Sequence, residues 1–466
     1  MSGASPEKVC SGFSSGDATI GKVEVLTFGC RLNAFESEAI RARAAEAQLR
    51  DTVVVNTCAV TAEAVRQSRQ AIRRLKREQP QRRILVTGCA AQIAPESYAA
   101  MAEVDAVIGN EEKLKADTYA AFGQNRLERC AVNDIMDVRR NAPHFVDHFD
   151  GQTRAFLAVQ TGCDHRCSFC VIPFGRGPSR SVGLGAVVEE ARRLTQKGFA
   201  EIVLTGVDLT SYGGDLPSLG KEGAPTLGTL AEKLLALVPG LKRLRLSSID
   251  SIEADDTLLR LIAEEERLMP HFHLSVQSGD DMILKRMKRR HARADTLAFI
   301  ARVRQARPGA VFGADLIAGF PTETEAMFQN TLTLVEEAGF SVLHVFPYSS
   351  RPGTPAAKMP PVPGALIKER AARLRQAGAR ARMRHLQSLV GRENELLMER
   401  GGIGRTPCFT PARFFTPSAL RIASAATGNS PACADARGGG WPEPGTFIRA
   451  RFTGVANDML LAELVA

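Results

Sequence analysis

Short apolar runs alternate with longer amphipathic ones from the start of the ordered text. Residues 22–28 (KVEVLTF) read as a buried strand, Gly29-Cys30 as a turn and residues 33–49 as a helix. The plan repeats: residues 51–55 (DTVVV) form a strand that exits through Asn56-Thr57-Cys58, residues 61–78 a helix, and residues 82–86 (RRILV) a strand that exits through Thr87-Gly88-Cys89. Strands separated by helices predict a parallel α/β sheet, whose ligands lie beyond the carboxyl ends of the strands. Cys30, Cys58 and Cys89 each fall there, so three thiols far apart in sequence are expected to converge on one sheet edge.

Residues 141–151 are polar and read as a linker; His144, Asp147 and His148 within it suggest a solvated turn more than a metal site. Beyond it, strand-like runs at 154–160, 201–204, 243–246, 271–276, 311–317 and 341–346 alternate with helical text, the pattern of a partial (β/α)6 barrel with its chemistry on the carboxyl-end loops. Residues 365–390 form a basic helix. The remainder holds strand candidates at 395–399, 446–452 and 459–464, best read as a small β-barrel. The fold class is thus α/β, with a polar tail (1–21), an amino-terminal α/β domain (22–140), a barrel domain (141–385) and a carboxy-terminal β domain (386–466).

Composition narrows the class without changing this plan. The chain has 466 residues, a formal charge of +9 and 44% hydrophobic residues, which excludes a disordered or fibrous protein and favours an anionic partner. No run approaches the ~20 apolar residues of a membrane span, and residues 1–21 lack the apolar core of a secretory signal, so a cytoplasmic location with no membrane partner is expected. Ten cysteines are too sparse for a disulfide scaffold in a chain this long and point to metal or chemistry. Cys10, Cys130, Cys408 and Cys433 have no motif around them and read as buried or incidental thiols.

Cys163, Cys167 and Cys170 form C-x3-C-x2-C directly after a strand. Three thiolates on one tight loop can bind three irons of a cubane cluster and leave the fourth iron free of protein ligands. The amine and carboxylate of S-adenosylmethionine can chelate such an iron. Structural zinc is the competing reading; it closes its tetrahedron with four ligands, and His165 offers a fourth.

With Phe169 as the aromatic of C-x3-C-x-Φ-C, this loop resembles the radical S-adenosylmethionine signature. The motifs GCRLN (29–33), NTCAVT (56–61) and TGCAAQ (87–92) are similar to the amino-terminal domain of the methylthiotransferases. CSFCVIPFGRGPSRS (167–181), LTGVDLTSYGGD (204–215), HLSVQSGDDMILKRMKRRH (273–291), DLIAGFPTETE (315–325) and HVFPYSSRPGTPA (344–356) continue the match in the family's order. The resemblance implies that Cys163, Cys167 and Cys170 hold a radical-generating [4Fe-4S] cluster and that Cys30, Cys58 and Cys89 hold an auxiliary one. In the family reaction one S-adenosylmethionine methylates sulfur carried at the auxiliary cluster. A second is cleaved to a 5′-deoxyadenosyl radical, which takes hydrogen from an unactivated carbon where the methylthio group is then placed. Such a carbon offers no acidic proton to a general base, so the cofactor carries the hard step.

Further candidates follow from position. Thr205, Gly206 and Asp208, with Val207 between them, end the second barrel strand where the superfamily binds the methionyl amine. Gln277 and Ser278 end the fourth strand, and Asp315 lies on the fifth. Arg176 and Arg180 follow the cluster loop and are candidates to neutralise its thiolates or to contact a substrate phosphate.

Arg31 after the first thiol, together with GRGPSRS, most resembles the enzymes acting on N6-threonylcarbamoyladenosine 37 of tRNA. Relatives acting on isopentenyladenosine, or on a ribosomal-protein aspartate, are the alternatives, and a non-catalytic zinc and RNA module is a third. Residues 66–83 carry eight Lys/Arg against Glu78, and residues 285–293 and 365–390 are also basic, as a tRNA partner requires. A low-potential flavodoxin or ferredoxin is the expected electron donor. The tail resembles the small RNA-binding (TRAM-like) barrel of these enzymes, with Phe409, Phe414, Phe415 and Trp441 as candidate stacking partners. It departs from the family text in the Pro/Ala/Gly-rich residues 416–441.

Overall fold

The computed structural model describes residues 23–139, 153–220, 223–414 and 442–465. Cys10, His144, Asp147, His148, Phe415, Cys433 and Trp441 lie outside the described residues. The amino-terminal unit runs β1 (Glu24–Thr27), α1 (Arg31–Glu46), β2 (Thr52–Thr57), α2 (Ala62–Glu78), β3 (Arg83–Gly88), α3 (Cys89–Ile93), α4 (Pro95–Ala99), β4 (Ala106–Ile108), α5 (Ala116–Gly123) and β5 (Cys130–Ala131). Its sheet is parallel throughout, in the order β1-β2-β3-β4-β5. β2, with the run Val53-Val54-Val55, is buried on both faces, as a central parallel strand covered by helices must be. Ile40 and Ala44 of α1 cover one face against Val54 and Leu85, while Ile72 and Leu75 of α2 cover the other against Val53 and Val55.

The barrel unit contains β6 (Arg154–Ala158), β7 (Gln160–Thr161), α6 (Ile172–Arg176), β8 (Arg180–Ser181), α7 (Leu184–Gln196), β9 (Glu201–Thr205), α8 (Leu227–Leu237), β10 (Arg243–Leu246), α9 (Asp256–Glu264), β11 (His271–Gln277), α10 (Asp281–Arg286), α11 (Arg293–Ala306), β12 (Val311–Ala318), α12 (Glu325–Glu337) and β13 (Val342–Pro347). β10-β9-β6 and β11-β12-β13 are parallel sheets joined by bridges Leu244–Leu268 and Ile249–Leu274, and β13 does not pair with β6. The result is the expected partial barrel. Phe272, Leu274 and Val276 of β11 point out into the core beneath the helices, which sends His271, His273, Ser275 and Gln277 inward. Leu32, Phe35 and Ala39 of α1 join that same core, so the first two units pack as one body.

α13 (Gly364–Leu389) leads to β14 (Glu393–Met398), β15 (Ile403–Arg405), β16 (Pro411–Phe414), β17 (Phe447–Ala456) and β18 (Met459–Leu464), which close into a barrel in the order β14-β15-β16-β18-β17. This small barrel docks on the amino-terminal ends of the strands of the large one. Arg243 bonds Glu395 (2.8 Å) and the Arg405 carbonyl (3.2 Å), Arg245 bonds the Pro407 carbonyl (3.1 Å), and Arg154 pairs with Glu399. Buried Glu201 takes Arg154 at 2.8 Å and Arg245 at 3.0 Å; burial pushes its carboxyl up, but the two guanidiniums prevail and hold it at about 2.

Two expectations are corrected here. Phe409 is not a free stacking surface: the guanidiniums of Arg154, Arg245 and Arg405 lie 5.0, 4.6 and 4.6 Å from its ring centre. Phe414 is buried in the small barrel's core. The basic stripes are also partly committed, since Arg370 is buried against Glu323 (2.9 Å), Arg289 pairs with Asp250 (2.6 Å) and Arg293 with Glu337 (2.6 Å). Among the described residues no helix is long and apolar enough to cross a membrane.

Candidate functional site

The carboxyl ends of β1, β2 and β3 deliver Cys30, Cys58 and Cys89 to one edge. Gly29 and Gly88 make the turns possible: both have positive φ (101° and 97°), and a Cβ on Gly29 would collide with the Cys58 sulfur. Cys30 caps α1, whose amino-terminal dipole favours a thiolate. Asn33 locks the turns together by donating to the carbonyls of Phe28 (2.8 Å) and Thr57 (3.0 Å). Burial, with Cys30 and Cys89 as electrostatic neighbours, pushes the Cys58 thiol up to about 12.

A buried charge network backs this triplet. Arg176 Nε donates to Cys89 Sγ at 3.2 Å, while its terminal nitrogens reach Asn33 Oδ1 (2.6 Å) and Glu36 (2.8 Å). Lys113, fully buried, pairs with Glu36 at 2.7 Å and donates to Asn110 Oδ1 at 2.6 Å. Burial raises the Glu36 carboxyl, but Arg176 and Lys113 outweigh it and hold it at about 2. Burial pulls the Lys113 ammonium down while Glu36 works to hold it charged, and Arg176 is the cation that faces the thiols. Arg176 therefore neutralises the amino-terminal triplet rather than the loop it follows. Arg180 is buried too, donating to the carbonyls of Val138 (3.1 Å) and Arg176 (3.0 Å), and is not available to a phosphate.

The second triplet sits on the loop after β7. Ser168 pins it, its amide bonding the Met287 carbonyl (3.0 Å) and its hydroxyl the Arg286 carbonyl (2.7 Å). Arg289 lies 3.8 Å from Cys167 Sγ, and the Ile172 amide donates to Cys170 Sγ at 3.5 Å. Burial pushes Cys170 up to about 11, and burial with Asp208 pushes Cys163 higher still. Phe169 meets Phe320 edge to face, with ring centres 6.4 Å apart.

Both donor sets fit an iron–sulfur cluster. A cationic core that replaces the thiol protons removes the penalty that burial puts on ionising Cys58, Cys163 and Cys170. His165, the fourth ligand that zinc would need at this loop, is hydrogen-bonded to Asp208 (2.9 Å) and Glu253 (3.4 Å), which raise its pKa to about 10, and Cys163, His165 and Asp208 lie close enough to share an ion.

Of the other predicted residues, Asp208 lies beside the loop, its carboxylate 3.4 Å from Cys163 Sγ. Thr205 is buried and bonds the Val203 carbonyl (3.3 Å). Gly206 has no room for a Cβ, which would lie 2.9 Å from Gln160 Oε1. Gln277 ends β11 with φ of 71°, and Ser278 serves local structure, accepting from the Asp280 amide at 3.2 Å. Asp315 belongs to another cluster, between His273 (2.8 Å) and His344 (3.1 Å) inside the barrel. Sequence reasoning missed Gln160, whose Oε1 accepts from the amides of Val207 and Asp208 (both 2.9 Å) while its Nε2 bonds the Gly162 carbonyl (2.9 Å). It also missed Glu36, Lys113 and Asn110; a buried ion pair leaves no local sequence signal. Gln160, three residues before the first loop thiol, could have been suspected from its place at a strand end.

The two units meet beside the first triplet. Arg351 donates to the Ala59 carbonyl, and the Ala62 amide donates to Ser349 Oγ (3.1 Å).

Comparisons agree with this geometry. Residues 157–335 match the family model described as the radical SAM superfamily, and residues 22–109 that of the uncharacterized protein family UPF0004. A Rickettsia prowazekii protein named threonylcarbamoyladenosine tRNA methylthiotransferase MtaB is 53% identical over 390 residues, covering 84% of this chain and 90% of its own. Proteins of the same name from Aquifex aeolicus (38% identical; 81% of this chain, 95% of that one) and Bacillus subtilis (38% identical; 72% and 74%) are also similar. The chain belongs to the MtaB family of radical S-adenosylmethionine tRNA methylthiotransferases.

Proposed function

We propose that this chain converts N6-threonylcarbamoyladenosine 37 of tRNA to its 2-methylthio derivative in the cytoplasm, with two [4Fe-4S] clusters and S-adenosylmethionine, drawing electrons from a low-potential flavodoxin or ferredoxin. The observation that carries the reading is the pair of thiol triplets, one at the edge of the amino-terminal sheet beside Arg176 of α6 and one on the loop after β7, in a chain 53% identical to a protein named for this activity. Cys163, Cys167 and Cys170 would hold one cluster and Cys30, Cys58 and Cys89 the other. Bound there, the clusters would supply the electron that cleaves S-adenosylmethionine and the attachment point for sulfur.

The chain's own residues position and shield. Asp208 offers a carboxylate beside Cys163 to the cofactor's ammonium group, and Gln160 fixes that loop through two amides. Phe169, Phe320 and Tyr348 form an aromatic wall next to the loop that excludes water. Arg176, Glu36 and Lys113 offset the thiolate charge of the other triplet. A positioned general base is not required, since the carbon–hydrogen bond attacked carries no acidic proton.

The test is an anaerobic reaction of reconstituted protein with S-adenosylmethionine, reductant and tRNA carrying the threonylcarbamoyl group, read by mass spectrometry of digested nucleosides. The methylthio derivative of that nucleoside is expected. Methylthiolation of isopentenyladenosine tRNA or of a ribosomal protein in its place would contradict the assignment.

A further inference from the structure

Inside the barrel, three neighbouring strands bring together a donor set that the thiol chemistry does not use. His273 of β11, Asp315 of β12 and His344 of β13 share one layer: Asp315 Oδ1 lies 2.8 Å from His273 Nε2 and 3.1 Å from His344 Nδ1, and the imidazole centres are 4.5 Å apart. One nitrogen or oxygen from each residue lies within 4.8 Å of the other two. The backbone makes room for the layer: a Cβ on Gly313, which stands opposite His273 in the β11–β12 pair, would lie 2.6 Å from His273 Nδ1. Buried carboxylates elsewhere in the chain are met by Arg or Lys, as Glu36, Glu201, Asp250 and Glu323 are. Asp315 meets two imidazoles instead, and among the described residues no lysine or arginine pairs with it. A guanidinium has no lone pair to give to an ion, whereas a neutral imidazole has one.

We propose that His273 Nε2, Asp315 and His344 Nδ1 bind a divalent first-row transition ion, at a site separate from both thiol triplets. Metal–nitrogen and metal–oxygen bonds of about 2.1 Å, at tetrahedral or octahedral angles, put neighbouring ligand atoms about 3.0–3.4 Å apart. The 2.8 and 3.1 Å spacings from Asp315 to the two rings are of that size. The ion replaces the two hydrogen bonds, and each neutral ring then carries its hydrogen on the far nitrogen. Two imidazoles and one carboxylate suit manganese, iron, cobalt, nickel or zinc better than magnesium or calcium, which favour oxygen ligands throughout. Three protein ligands leave coordination positions open. His344, 41% exposed against 8% for His273, gives water access to them, so the remaining ligands are exchangeable. The layer lies three residues before the end of β13, about 10 Å down that strand. Beyond it the chain runs on to Tyr348, which packs against Phe320 next to Phe169 of the thiol loop, so the layer shares no residue with that loop.

Titration of the anaerobically reconstituted holoenzyme with Mn2+, followed by pulsed electron paramagnetic resonance, tests this. Mn2+ takes imidazole and carboxylate in preference to thiolate, so vacant cysteines do not mimic the site, and its spectrum shows couplings to ligand nitrogens. The wild type is expected to bind about one Mn2+ per chain with coupling to histidine nitrogen. His344→Ala and Asp315→Asn should each weaken that binding about tenfold or more, at least as much as loss of an outer-shell partner does, with the iron content unchanged. Wild-type protein that holds Mn2+ no more tightly than His344→Ala overturns the proposal. So does bound Mn2+ without histidine nitrogen coupling, a result that the wild-type spectrum delivers even where a variant fails to fold.

Discussion

Arg176 shows how much a single buried cation can carry. It joins the Cys89 thiol directly to Glu36, and it is 3% exposed. Replacing it by Met leaves Glu36 and Cys89 short of a partner in a dry site, a change that costs roughly 3–5 kcal/mol. Arg176→Met is therefore expected to melt earlier and, after reconstitution, to lose the amino-terminal iron while keeping that of the loop triplet. Iron retained in full would reject the network's role. Glu201 gives a pH prediction at the same scale. Its folded pKa of about 2 lies below the ordinary 4.5, so its contribution is complete above pH ~4.5 and lost as pH falls towards 2. The acid-side slope of unfolding free energy should be shallower in Glu201→Gln across that window. At this scale the sequence was a partial guide. The gathering of Cys30, Cys58 and Cys89 at one sheet edge was legible because each stands at a strand end, whereas Arg176, matched in sequence to the loop it follows, serves Cys89, 87 positions away.

Strands and helices were more legible than side-chain partners. All six barrel strands lie where the strand-like runs placed them, since β10 (RLRL) and β11 (HFHLSVQ) alternate apolar and polar residues with the period of a strand. β4 and β5 were missed; runs of three and two residues carry no periodicity. The small barrel was read correctly as an element and incorrectly as a set of exposed aromatics. Phe409 packs under three guanidiniums because the ends of β6 and β10 need neutral, polarisable cover where Glu201 alone cannot pair every arginine. Phe409→Ala is expected to cost about 3 kcal/mol and to make the small barrel the first site of proteolysis, with iron content unchanged. A variant as protease-resistant as the wild type would show that the docking rests on the ion pairs alone.

At the scale of the molecule, α1 is shared: its Ile40 side builds the amino-terminal sheet's core and its Leu32 and Phe35 side the barrel's. With Ala, Glu and Arg interleaved along it, this helix shows no single apolar stripe in its sequence, and its two buried sides emerge only from the packing. The consequence is a fixed relation between the triplets, with Arg176, Arg351 and Ser349 reaching across. Separate duties then follow for the two sets. Cys167→Ala should abolish 5′-deoxyadenosine formation, while Cys58→Ala should keep it and lose sulfur insertion; full product from Cys58→Ala would refute that division. The most direct measurement is iron and sulfide analysis of the anaerobically reconstituted protein beside a variant with Cys30, Cys58 and Cys89 all replaced by Ala. Two cubanes predict about eight irons per chain falling to about four; equal iron in both proteins, or zinc in place of iron, would contradict the account.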